Sequence, residues 1–217
     1  MGIDYTYHLY IPRKNVWMML QALGRQVLSA HRVHTSVHLA GGEIIDVPFT
    51  SRFKTDPLVY TEQTPSLEFD TSLWLRIDEN EQAMFQADGW KLDEQGEVEF
   101  GYLYLTIDFR PEEPGDFVAF RFVAATDGMS RLMEHSQSLY RAFRTLLAEN
   151  GGICGILDRE DYQEAILWWL KGQDLFRPLP EGIIPSEEEI HIPPHWTFDL
   201  WLERRFDGLV EGWLRKT

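Results

Sequence analysis

Val98-Glu99-Phe100-Gly101-Tyr102-Leu103-Tyr104-Leu105-Thr106-Ile107-Asp108-Phe109 is the stretch on which the fold turns. It is rich in aromatic and branched side chains and holds no proline, so it reads as a strand. Taken as an unbroken strand, it places Phe100, Tyr102 and Tyr104 on one face and Leu103, Leu105, Ile107 and Phe109 on the other. Both faces are apolar or aromatic, so the strand is expected to be central in its sheet or covered on both sides.

The neighbours of this stretch extend the same pattern. Residues 111 to 115 hold two prolines and a glycine and turn the chain, and Phe117 to Ala125 returns as an adjacent strand. On the other side, Leu67, Phe69, Leu73, Leu75 and Ile77 alternate with polar residues and form another strand, and Gln82 to Gln86 is read as a short one. Near the start, Ile3, Tyr5, Tyr7, Leu9 and Ile11 alternate up to Pro12. A helix is expected from Asn15, as N-cap, to Ser29, with Val16, Met19, Leu20, Leu23 and Val27 as its apolar stripe. Val33 to Leu39 and Ile44 to Phe49 form a hairpin. A three-residue loop, Ala40-Gly41-Gly42, groups Val33, Thr35, Val37 and Leu39 with Ile45 and Val47 on an apolar face and leaves His34, Ser36, His38 and Asp46 on a polar one.

A second helix is expected from about Ser130 to Glu149, stopped by Asn150-Gly151-Gly152, then a short strand from Ile153 to Leu157. Asp158 is read as the cap of a third helix closing at Lys171-Gly172. The fold class is therefore α+β: a mainly antiparallel sheet with helices on one face, in the order β-α-β-β-β-β-β-α-β-α. Residues 1–171 form this domain. Residues 172–217 form a proline-rich arm and a C-terminal helix, its face traced by Phe198, Leu202, Phe206, Leu209 and Trp213. That apolar face must pack on the domain or on a second subunit, and the stiffness of the prolines favours reach to a homodimer.

Composition excludes some functions. The net charge of −15 opposes nucleic-acid binding. The charge is uneven: residues 1–54 sum to +3, and the span 78–116 holds twelve acids against Lys91 and Arg110. That span is either a solvated face or a docking face for a basic protein partner. A single cysteine, Cys154, in an apolar run suits a reducing, cytoplasmic compartment, and no apolar stretch is long enough to cross a membrane.

No motif assigns a chemistry. There is no nucleophile elbow, phosphate loop or dinucleotide fingerprint, and no cofactor is implied. His34 and His38, four residues apart on a strand, start about 13 Å apart and fit no metal site well. The best ligand-binding candidates are Trp74, Tyr102 and Tyr104. If a helix covers their face the rings are core; left open, they make an aromatic groove. The function read from this is non-catalytic binding or regulation, through the acidic surface or the aromatic face. The alternative is a hydrolase-type enzyme whose residues converge only in three dimensions.

Overall fold

The computed structural model describes residues 4–26, 34–109, 117–152, 154–158, 164–170 and 176–178. Eleven strands and four α-helices lie within them. The main sheet has eight strands, all antiparallel to their neighbours, in the order β11-β10-β9-β1-β8-β7-β6-β4. These are β11 (Phe176–Pro178), β10 (Glu164–Leu170), β9 (Cys154–Asp158), β1 (Thr6–Pro12), β8 (Phe117–Ala124), β7 (Glu97–Asp108), β6 (Ser66–Arg76) and β4 (Thr50–Ser51). The stretch from Val98 is β7, and it is interior to the sheet, between β8 and β6, but only one of its faces is buried.

One face of the sheet is a ladder of large apolar side chains. Leu67, Ile107, Phe120 and Leu9 pair in one row, and Phe69, Leu105, Phe122 and Tyr7 in the next. Each of these is buried. Helix α4 (Gln137–Glu149) lies on this face, where Phe143 stacks on Tyr7 at 4.2 Å and meets Phe122 at 5.1 Å. Helix α1 (Val16–Arg25) packs beside it through Val16, Met19, Leu20 and Leu23, four residues of the expected stripe; Val27 and the expected end at Ser29 lie outside the described residues. The helices thus cover one side, as α+β packing requires.

The hairpin of β2 (Thr35–Leu39) and β3 (Ile44–Val47) pairs Thr35 with Val47, Ser36 with Asp46 and Val37 with Ile45. That is the register set by a three-residue loop. Gly42, at φ +83°, takes the left-handed position that L-residues avoid. Strand β5 (Leu58–Tyr60) joins β2 in parallel and completes a three-stranded sheet next to α1. Trp17 of α1 holds the junction, edge-on to Tyr60 at 5.0 Å.

Four local expectations are corrected. Gln82–Ala87 is a helix, α2, not a strand: its residues are good helix formers, and its single buried side chain, Phe85, rests edge-on to Phe100. The single helix expected from Ser130 is two, α3 (Asp127–His135) and α4, broken at Ser136. Ser136 caps α4 by accepting from Leu139 N, and its hydroxyl donates to Glu81 at 2.8 Å. Asn15 caps nothing; its amide donates to the Asn150 carbonyl at 2.9 Å, tying the start of α1 to the end of α4. Finally, the segment read as a third helix carries the strand β10, paired antiparallel to β9. A short run that is apolar on every side fits a covered strand as well as a helix, so periodicity does not separate them. The last helix, 198–213, lies outside the described residues, and the arm contributes only β11 within them. Among the described residues no helix is long and apolar enough to cross a membrane.

Candidate binding groove

The outward face of the sheet is decided by an irregularity in β7. Thr71 pairs with Leu103 but Leu73 pairs with Phe100, so Ser72 alone stands opposite both Gly101 and Tyr102. The extra residue is a bulge, and it reverses the alternation of everything before it. Phe100 is therefore turned onto the core face with Leu103, fully buried against Trp90 and Phe85. The expected grouping of Phe100 with Tyr102 and Tyr104 does not occur. Tyr102 sits in the left-handed region, at φ +59°, and is 76% exposed. A non-glycine residue there costs roughly 1–2 kcal/mol.

A groove of about 310 Å³ opens at this bulge. Asp70, Thr71 and Ser72 of β6 line it together with Glu99, Gly101 and Tyr102 of β7. Thr50, Pro48 and Phe49, around the short strand β4, form one wall, and Trp90 contributes from the segment after α2. Among the described residues it is lined by two carboxylates and no lysine or arginine. The Ser72 hydroxyl donates to Glu99 Oε1 at 2.8 Å. The Thr71 hydroxyl donates to the Ser72 carbonyl at 3.4 Å. Asp70 Oδ1 is closed off from solvent and has no hydrogen-bond donor among the described residues.

Of the three residues expected to bind a ligand, Tyr102 lines the groove. Trp74 and Tyr104 lie on the same strands but do not line it. Trp74 stands opposite Glu99, and its indole donates to Glu97 Oε2 at 2.8 Å. Tyr104 stands beside Asp70, and its ring carries the Arg52 guanidinium at 4.5 Å. Arg52 also reaches Glu68 at 3.4 Å. The aromatic face is thus an acidic and aromatic one. Asp70, Ser72 and Glu99 were not singled out by sequence, because they gather only across the bulge, whose one local mark is Gly101, an isolated glycine inside a strand.

Much of the acidic span 78–116 is engaged in hydrogen bonds within the chain, although Asp78, Glu79, Asp93 and Glu94 are exposed. Of its nine described acids, Asp78, Glu81, Asp88, Asp93, Glu97, Glu99 and Asp108 all accept hydrogen bonds. Glu81 is the most deeply placed. It accepts from Ser136 Oγ, Gln137 N and Ser138 N and so holds the start of α4. Burial pushes its carboxyl up, but these bonds outweigh burial and keep it below its ordinary value. Asp78, Glu79, Asp93 and Glu94 border a wider, open depression of about 860 Å³ at the far end of β6.

The two histidines and the start of α3 are placed as well. His34 is exposed, and His38 lies half-buried on the solvent side of the small sheet, opposite Ile44. Among the described residues no group of three possible ligands is arranged to hold a metal. The turn before α3 is capped by Thr126, which accepts from Met129 N at 3.3 Å, while Ser130 is buried and receives Tyr5 N.

The fold and the groove define an α+β protein with an open recess, lined by acidic and aromatic residues, at the β7 bulge. Compared with known proteins, the chain matches no family model, no curated protein and no solved structure.

Proposed function

We propose that this chain is a non-catalytic binding protein whose ligand site is the groove at the β7 bulge. The observation that carries the reading is Tyr102: a large ring held outward in a left-handed conformation, over a recess that joins aromatic and acidic side chains. Strain of this kind is retained where the surroundings hold it for use. Glu99 pairs with the Ser72 hydroxyl, and among the described residues no histidine or lysine lines the groove to act as base, so binding needs fewer assumptions than chemistry. Acidic overall charge supports a basic protein partner, opposes nucleic acid, and a single cysteine suits the cytoplasm. The arm, residues 172–217, completes this reading as a device for homodimer formation.

The test is a protein-observed NMR screen with small amines, polyols, carboxylates and indole, repeated on Ser72→Trp, which fills the recess. Saturable shifts at Ser72, Gly101 and Trp90 that vanish in the filled variant are expected. Shifts confined to other surfaces would overturn the assignment. One observation favours a second reading, a hydrolase: the Ser72 hydroxyl lies 2.8 Å from a carboxylate in an open recess. Hydrolysis of p-nitrophenyl acetate that is lost in Ser72→Ala would establish it in place of the first.

A further inference from the structure

We infer that the outer face of the main sheet around Tyr10 is a docking surface, and that its occupant is the C-terminal segment 198–213. The burial of this face carries the inference. Pairing puts Tyr10, Ala119 and Asp108 in one row and His8, Arg121 and Thr106 in the next, on the side opposite the ladder of Leu9, Phe120 and Ile107. The described helices all lie on the ladder's side. Helices α3 and α4 reach Tyr7, α1 meets Phe109 through Trp17, and α2 meets Phe100 through Phe85. No described helix therefore shields Tyr10, yet it is 8% exposed and Ala119 4%. Its neighbours within the sheet do not account for this. The residues paired with Tyr10 are Ala119 and Cys154, both too small to shield a tyrosine ring. On the same face, Tyr104 and Thr106 of β7 and Glu68 of β6 are only half-buried. The face is thus covered over β1 and β8 and more open over β7 and β6.

Position, length and chemistry select the occupant. Strand β10 continues the covered half of the sheet, and Ala165 to Leu170 is apolar at every position, the pattern of a strand covered on both faces. Strand β11 ends at Pro178 on the edge beyond β10, three strands or about 14 Å from β1. Residues 179–197, stiffened by their prolines, reach up to about 60 Å, so they span the return to β1. Read as a helix, 198–213 is about 24 Å long, against about 23 Å for the seven residues of β1. Its width of about 10 Å covers two strand spacings. Its stripe of Phe198, Leu202, Phe206, Leu209 and Trp213 supplies the apolar surface that a buried ring needs. The other stretch close to Tyr10 is 110–116, which joins β7 to β8. It holds an arginine, prolines, acids and a glycine, and offers the ring no large apolar partner. The inference goes beyond the dimer proposed above, because it fixes where the segment lands, on its own chain or on a second copy.

The experiment replaces Phe206 and, in a separate chain, Leu209 by the photoreactive residue p-benzoylphenylalanine, irradiates the whole protein, and maps the crosslinked peptides by mass spectrometry. Expected are crosslinks into β1, β8 or β9, and their loss when Ala119→Arg sets a bulky charge on the surface. Crosslinks confined to the helices, to the small sheet or to residues 110–116 would overturn the inference, and so would a chain that forms none. A denaturing gel separates the two routes. Product of twice the chain mass puts the segment on a second copy and upholds the dimer as well. Product of single mass puts the segment on its own chain, which sinks the dimer and leaves the docking surface standing. The mapping is made on a chain whose surface is unaltered, so it decides the matter even where Ala119→Arg folds poorly.

Discussion

Replacing Tyr102 by glycine and, separately, by alanine isolates the left-handed conformation at the bulge. Both changes remove the ring, which is 76% exposed, so the lost contacts are nearly the same. They differ in backbone alone. In an ordinary strand position alanine is the more stable, because glycine loses about 0.5–1 kcal/mol of backbone entropy on folding. At φ +59° an L-residue bears roughly 1–2 kcal/mol that glycine does not. The difference leaves Tyr102→Gly more stable than Tyr102→Ala by about 0.5–1 kcal/mol. Urea melts of the two variants, fitted with a common slope, measure this directly. If alanine is equal or better, the bulge relaxes to an ordinary conformation when the ring is gone, and the argument that Tyr102 is held under strain is wrong. If strain is kept for binding, both variants also lose the ligand-induced shifts at Ser72, Gly101 and Trp90, so the glycine variant recovers stability without recovering function.

Three further outcomes are expected. Glu81→Gln should cost about 2–3 kcal/mol, since it weakens a buried carboxylate holding the α4 start. Because the folded-state carboxyl lies below its ordinary value of 4.5, its contribution is full above that pH and fades as pH falls through the lower value, so the variant's acid limb should be flatter; parallel limbs in melts from pH 7 to pH 3 would count against it. Phe143→Ala should cost about 3–5 kcal/mol for a buried ring, and Arg141→Ala under about 1 kcal/mol for an exposed pair with Asp78, with equal costs contradicting the packing described. Ending the chain after Gly172 removes β11 from the edge of β10; light scattering should then report a monomer where the whole chain is a dimer, and two monomers with the same Tm would dispose of the arm.

Much of the fold was legible from local pattern. Alternation marked β1 and β6, branched and aromatic content marked β7 and β8, and a 3.6-residue stripe marked α1. The β2–β3 register was also legible, since loop length and Gly42 restrict it to one arrangement. What the sequence alone determined is therefore the class of the fold and the side that most residues present to the core. Tertiary structure decided three things. Glu81 reaches Ser136 from 55 residues away and breaks what reads as one helix. Pairing with β9 makes a strand of a segment whose composition suits a helix equally well. The bulge at Gly101 and Tyr102 arises from the pairing of β7 with β6, some 30 positions distant; Gly101 within β7 is compatible with a bulge, but the register across the strands fixes it. By shifting the alternation by one, it sends Phe100 inward, leaves Tyr102 outside, and brings Asp70, Ser72 and Glu99 around one recess. The physical reason is common to all three: periodicity records which face of an element is buried, whereas register between distant segments is settled only when they meet.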